Sequence, residues 1–336
     1  MILVTGATGL VGSHLLYKLL SQGKHVKAIH RSTSDLTVVK KVFSYYISPQ
    51  QATDLFNRII WVEADVLNVP QLTLAFEGVE TVYHCAAMIS YSRSDFERMR
   101  KVNIEGTANM INLALSNDVV AFCHVSSIAA LGKTLGDQPI TEETEWNQEQ
   151  NNSDYAITKY GAEMEVWRGS QEGLNIVIVN PGVIIGPGFW ESGSGVLFKK
   201  VNEGMRFYFP MTTGFVGIND VVYAMTCLMD KKSYGERFTI VSENLSFDRV
   251  LKQIATELGK TPPRYKLKPW LIAIGWFFQR VGRLLFGTTQ QLTRAHIKNL
   301  FLDDVYDNNK INREIGIEYK PIQEVIAVTA DYFKKE

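Results

Sequence analysis

Residues 5–12 read Thr-Gly-Ala-Thr-Gly-Leu-Val-Gly. Glycine stands at every third position (Gly6, Gly9, Gly12), directly after the apolar run Ile2-Leu3-Val4 and at the head of an amphipathic stretch reaching residue 22. Few folds accept such a strand–glycine–helix junction. Gly6 suits a tight turn, Gly9 lets the backbone approach a pyrophosphate, and Gly12 lets the helix pack on the sheet. The helix N-terminus, with Thr8, Leu10 and Val11 around it, then offers backbone N–H groups to phosphate oxygens. A bare glycine triplet would say little; a strand before it and a helix after it make it a dinucleotide loop.

The chain beyond residue 22 keeps that rhythm. Apolar runs at 25–30, 59–62, 81–84, 119–125 and 175–179 alternate with helical patterns at 10–22, 103–115 and 153–171. Such a βαβ series predicts an α/β fold, a doubly wound parallel sheet of Rossmann type. After Asn180-Pro181-Gly182 the glycine-rich punctuation at 186–188 and 192–195 marks a smaller C-terminal substrate domain. A helix at 221–229 and a strand at 237–241 could rejoin the sheet. The expected division is therefore 1–180 plus about 212–242 for the dinucleotide domain, and about 181–211 and 243–336 for the substrate domain. The stretch between Asp35 and Ile59 carries Val39, Val42, Phe43, Tyr46 and Ile47 at helical spacing and reads as one packed helix of unassigned role.

Composition narrows the setting. Lys and Arg number 35 and Asp and Glu also 35, so no global field draws the 336-residue chain to nucleic acid or an anionic membrane. Cys85, Cys123 and Cys227 form no CxxC, and the chain opens on a strand in place of a signal segment, so a reducing, cytoplasmic setting is expected. The apolar run 270–278 is about half of what spanning a bilayer requires. It reads as a packed helix of the second domain or as a subunit contact, which leaves a homodimer open. His84 and His124 make no metal set with each other, and no metal is expected.

Which dinucleotide binds depends on the residues after the second strand, where an acid would accept a ribose 2′-hydroxyl. Here stand His30-Arg31-Ser32-Thr33. Arg31 beside Ser32 suits a 2′-phosphate, gripped bidentately, and favours NADP over NAD; Asp35 could still reach a ribose. Asp65, followed by Val66, is placed either to meet the adenine edge or to cap a helix.

A Tyr and a Lys separated by three residues share a helix face, and the ammonium can make the phenol a usable acid near neutrality. With 14 Tyr in the chain the spacing arises by chance, and it occurs twice: Tyr155 with Lys159, and Tyr306 with Lys310. The second pair encloses Asp307, Asn308 and Asn309, a poor helix interior. The first opens the helix before the sixth strand, downstream of Val125-Ser126-Ser127 at the carboxyl end of the fifth, where such sheets bind ligands.

At this point the chain resembles the extended short-chain dehydrogenase/reductases, in order along residues 1 to about 230. The matching motifs are the glycine loop at 5–12, Asp65-Val66, His84-Cys85-Ala86-Ala87, Val102-Asn103-Ile104-Glu105-Gly106-Thr107, Ser126-Ser127, Tyr155-Ala156-Ile157-Thr158-Lys159 and Asn180-Pro181-Gly182. The resemblance implies Ser127 holding the substrate oxygen, Tyr155 exchanging a proton, Lys159 on the nicotinamide ribose and Asn103 in a proton relay. It also implies Ala86, Ala87 and Pro181 beside the cofactor. Ser127 is preferred to Ser126 because it lies five residues before Gly132, as the family's active hydroxyl does.

Nucleotide-sugar dehydratases of that family carry an acidic pair after the active hydroxyl; here Ile128 and Ala129 stand there. The segments at 31–35 and 217–222, with Asn180-Pro181, look most like the dihydroflavonol reductase-like branch. The expected activity is NADP-dependent reduction of a ketone or aldehyde by hydride transfer. The alternatives are a nucleotide-sugar epimerase with tightly bound NAD and, from another class, a non-catalytic cofactor-sensing protein. The expected partner is a small, largely apolar carbonyl or alcohol. Phe189, Trp190, Phe198, Phe207, Tyr208, Phe209, Met211 and Phe215, with Met88, Ile89 and Tyr91, could line its site, while Lys199, Lys200 and Arg206 are the only cations at 181–220 that could grip a diphosphate.

Overall fold

A computed structural model describes residues 1–90, 92–134, 138–268 and 303–336. Tyr91 and the apolar run at 270–278 lie outside the described residues. Six strands open the chain: β1 (Ile2–Thr5), β2 (Val26–His30), β3 (Ile60–Glu63), β4 (Thr81–His84), β5 (Ala121–Val125) and β6 (Ile176–Pro181). With the later strand Glu236–Ile240 they form a seven-stranded sheet in the order 236–240, β6, β5, β4, β1, β2, β3, every pairing parallel. The order reverses beside β1, which is the crevice where doubly wound sheets take their ligands.

Both faces of the sheet are covered, and strand periodicity of two shows how. Val4, Val177 and Val179 join a core with α1 (Leu10–Ser21) and the helix Ile218–Lys231 on one face. Their neighbours Leu3, Ile176 and Ile178 join a second core on the other face, with α4 (Val69–Phe76), α6 (Gly106–Ser116) and α7 (Asp154–Gln171). Burying a strand on both sides requires near-continuous apolar residues, and β6 supplies them up to Asn180.

Two local departures from the sequence reading have clear causes. The stretch after Asp35 is two helices, α2 (Thr37–Phe43) and α3 (Pro49–Phe56). Ser48 ends the first run with a capping box to Gln51, and Pro49 at the first helical position starts a new helix there. The helix expected at 103–115 begins earlier, as α5 (Phe96–Arg100). It then widens into a π-turn over Lys101–Glu105 before α6 resumes.

Beyond β6, Val183–Ile185 and Thr212–Gly217 run parallel, and Glu243–Ser246 pairs antiparallel with the latter, in a separate three-stranded sheet. Its core holds Phe198, Phe215, Leu251, Ile254 and Ile326. Between the last two of these strands the chain returns to the large sheet through the helix Ile218–Lys231 and the strand Glu236–Ile240.

Candidate active site

The residues singled out from the sequence mostly follow the carboxyl ends of parallel strands: the glycine loop β1, Arg31 and Ser32 β2, Asp65 and Val66 β3, Ala86 and Ala87 β4, Ser126 and Ser127 β5, with Pro181 ending β6. These therefore share one edge of the sheet.

The glycine loop has the geometry a pyrophosphate needs. Gly6 adopts φ +62°, and a Cβ there would stand 2.6 Å from the backbone nitrogen of Ala86. A Cβ on Gly12 would stand 2.2 Å from the carbonyl oxygen of Gly6. Gly9 caps α1 without any side-chain bond, and the first turn of that helix has no acidic residue. Its leading N–H groups, with no capping side chain, thus face the crevice at the positive end of the helix dipole. The loop fits a dinucleotide phosphate on these grounds.

After β2, Arg31 is exposed and its backbone N–H donates to Ser34 Oγ at 3.1 Å. Asp35 is occupied: its Oδ1 accepts from the Thr37 hydroxyl at 2.6 Å and the Thr37 N–H at 2.8 Å. Those two bonds hold the carboxyl below its ordinary range. Ser32 is exposed next to Arg31. Asp65 accepts from Leu67 N–H at 2.9 Å, while the cap of α4 is Asn68, so Asp65 does not serve as that cap. Val66 is buried against Gly106, and Ala87 is exposed.

Around β5 the two serines separate. Ser126 is 4% exposed and its hydroxyl donates to Glu163 Oε2 at 2.7 Å. Ser127 is half-buried, and its Oγ accepts from Ala129 N–H at 3.1 Å. The helix α7 begins at Ser153, whose side chain accepts from Ala156 N–H. That cap puts half-buried Tyr155 in the first turn and Lys159 one turn on. Lys159 is 1% exposed and its Nζ donates to the carbonyl of Val125 at 2.8 Å. Burial lowers the ammonium to about 8, with Glu163 and then Cys85 opposing the shift.

Asn103 sits within the π-turn, a wide turn often found at functional positions. Its amide is a clamp. Oδ1 accepts from Met88 N–H at 2.7 Å, and Nδ2 donates to Met88 O and to Thr158 Oγ1, each at 3.0 Å. The clamp ties the loop after β4 to α7 beside Tyr155. A buried chain runs behind it: Ala86 N–H donates to Thr5 Oγ1, Thr5 Oγ1 bonds His84 Nδ1, and His84 Nε2 bonds Thr107 Oγ1, which donates to Asn103 O. Desolvation holds His84 at about 3, so the ring is a neutral link. His124, stacked on His84, is also buried and held well below the ordinary imidazole value by desolvation. Among the described residues no cluster of candidate metal ligands occurs. The three cysteines are free, and burial pushes Cys85 up to about 12.

Sequence reasoning missed three residues that bond behind this edge: Glu163, Asn180 as a bonding group, and Arg237. Asn180 Nδ2 donates to Ser127 O at 3.0 Å and to Glu163 Oε2 at 2.9 Å, and Arg237 Nη1 donates to Glu163 Oε1 at 2.8 Å. The one signal available was Glu163 itself, an acid four residues after Lys159 on a helix face that must point inward.

The sequence matches the NAD dependent epimerase/dehydratase family over residues 2–241. The chain belongs to that family. Relatives extend the match to the whole length. A protein of Synechocystis sp. provisionally named a dihydroflavonol 4-reductase is 27% identical over 98% of this chain and 94% of its own. Sterol demethylase protein B of Methylococcus capsulatus is 27% identical over 99% of this chain and 98% of its own. The structure of a UDP-glucose 4-epimerase from Thermotoga maritima superposes with a TM-score of 0.77 at 21% identity, covering 99% of this chain and 98% of that one, a likeness of fold. The chain is an NAD(P)-dependent enzyme of the extended short-chain dehydrogenase/reductase type, and a dihydroflavonol reductase-like protein is among its relatives. Among the described residues no helix is long and apolar enough to cross a membrane.

Proposed function

We propose that the protein reduces a largely apolar ketone or aldehyde with NADPH. The bound dinucleotide would supply the hydride. The chain's residues do the rest: Ser127 Oγ donates to the carbonyl oxygen as charge builds there, and the Tyr155 hydroxyl gives its proton to the forming alkoxide. Lys159, driven to the interior end of the site, favours a phenol that can release that proton and offers its remaining N–H groups to the nicotinamide ribose. The Asn103 clamp holds α7 against the loop after β4. The smaller lobe, built around the three-stranded sheet, would cover the substrate.

The state of the cations at 181–220 carries the choice against a sugar diphosphate. Lys199 Nζ is 2.6 Å from Glu191 and Lys200 Nζ is 2.8 Å from Glu203, so two of the three cations at 181–220 already face carboxylates, and Arg206 is exposed. Aromatic side chains line the lobe in smaller number than their abundance in the sequence suggests. Phe198 and Phe215 are fully buried in its core and Trp190 packs edge-on against Phe333. Ile89 and Phe207 remain exposed. For the cofactor, the exposed Arg31 and the occupied Asp35 support NADP over NAD, and three free thiols suit a reducing cytoplasm.

Thermal shift in the presence of NADPH tests the reading, with uridine and thymidine diphosphates set against aromatic and terpenoid ketones. Saturable stabilisation by ketones, followed by loss of NADPH absorbance on mixing, is the expected result. Stabilisation by a nucleotide diphosphate and by no ketone would favour epimerisation.

A further inference from the structure

The three acceptor contacts of one buried carboxylate converge from different parts of the chain. Glu163 is 0% exposed. It takes the Ser126 hydroxyl from the end of β5, the Asn180 amide from β6 and the Arg237 guanidinium from the strand 236–240, all within 2.9 Å. Arg237 is fixed on its far side, where its Nε donates to Glu142 O at 2.9 Å; Glu142 Oε1 in turn accepts from Thr239 N–H at 2.6 Å. The late return of the chain to the sheet thus delivers a cation beneath the serine pair.

We infer that Glu163, held by Arg237, is a positioning residue of the active site: it fixes the Ser126–Ser127 backbone from below and keeps a negative charge one helical turn from Lys159. The inference rests on Ser127 and Lys159 serving the reductase chemistry proposed for them.

The first half follows from the bonds. Asn180 bridges Glu163 and the Ser127 carbonyl, and Ser126 is tied to the same oxygen of Glu163, so the peptide carrying Ser127 is held from both β6 and α7. A buried carboxylate with three donors is costly to form and rigid once formed. The second half follows from helix spacing: residues four apart lie one above the other on one face. The groups facing Lys159 are Tyr155 and Glu163 on α7, His84 on β4, Cys85 just after it and His124 on β5. Burial keeps both imidazoles neutral near pH 7, and the Cys85 thiol keeps its proton to about 12. Glu163 is thus the anion that opposes desolvation of the ammonium.

The test is the pH dependence of NADPH affinity, read by fluorescence from pH 6 to 10, together with the pH profile of turnover on a ketone. In the parent protein both should fall as pH rises through about 8, the value to which burial lowers the Lys159 ammonium. Glu163→Gln keeps the shape and removes the charge, and its alkaline limb should move down by about one pH unit. Glu163→Asp keeps the charge and loosens the bonds; its rate should fall at every pH with the limb in place. If Glu163→Gln does not fold, Glu163→Gln with Arg237→Met replaces the ion pair by neutral groups of similar size, and the limb should again lie below the parent's. A limb unmoved in a folded Glu163→Gln or double variant overturns the inference. Absence of turnover on every ketone, with the binding limb still displaced, would instead count against the reductase reading and leave the inference standing.

Discussion

Tyr155 and Lys159 sit on consecutive turns of α7 at the carboxyl edge of the sheet, whereas Tyr306 and Lys310, with the same spacing, are split between an extended segment and the helix Asn309–Ile315. The first tyrosine is half-buried at the crevice. The second is 8% exposed in a small apolar cluster with Ile128, Leu131, Ile140 and Val241, where burial pushes its phenol upward and Thr213 is its hydrogen-bond partner. The lysines differ in the same way. Lys159 is interior with a backbone carbonyl as partner, while Lys310 reaches out to Glu236 at 2.6 Å and over the ring of Phe238. The same spacing brings two side chains onto one face only when one helix holds both members.

That contrast can be broken by substitution. The largest effect is expected from Lys159→Ala, which should remove turnover and weaken NADPH binding together, since one ammonium serves phenol and ribose. Titration calorimetry and single-turnover kinetics would separate the two losses; unchanged cofactor affinity would detach Lys159 from the ribose. Gly12→Ala should come next. Its Cβ meets the Gly6 carbonyl, a backbone atom that cannot move aside, so we expect a destabilisation of about 1–3 kcal/mol in chemical denaturation and loss of dinucleotide binding.

Arg31→Asp sharpens the comparison at the other end of the cofactor. Removing a bidentate clamp and adding repulsion should reduce the NADPH preference by roughly 10- to 100-fold or invert it. Equal affinities for NADPH and NADH in the parent protein would remove the basis for Arg31. A smaller and more diagnostic effect concerns pH. Although two histidines lie beside Lys159, the rate should stay flat between about pH 6 and 7.5, because both rings are already neutral there, and should fall only as pH passes about 8. A limb near the ordinary imidazole value would contradict the description of that interior. Lys310→Ala should do least, at most about 1 kcal/mol of stability and nothing to turnover.

How far the sequence reached depends on the range of the interactions involved. The glycine loop, β4 at 81–84 and the Ser153 start of α7 were readable because strand period, turn chemistry and helix caps are local. Tyr155 and Lys159 were readable because a helix turns spacing into adjacency. The π-turn at Asn103 was not, since the partners of its amide, Met88 and Thr158, lie on two segments distant in sequence. The same holds for Glu163, Asn180 and Arg237: each is an ordinary polar residue until the sheet order places β5, β6 and the strand 236–240 side by side. The aromatics at 189–215 misled in the opposite direction, because an apolar side chain in a small lobe is as useful in its core as in a binding surface, and Phe198 and Phe215 went to the core.

The central claim is that proton transfer belongs to the tyrosine of α7 and that its twin is structural. Tyr155→Phe and Tyr306→Phe, measured side by side for NADPH oxidation with a ketone that the parent enzyme turns over, test it most directly. Tyr155→Phe should lose ~100- to 10,000-fold in turnover with its melting temperature and cofactor affinity nearly unchanged. Tyr306→Phe should keep full turnover and lose about 1 kcal/mol of stability through the bond to Thr213. Undiminished turnover in the Tyr155 variant, or a comparable loss in both, would contradict the account.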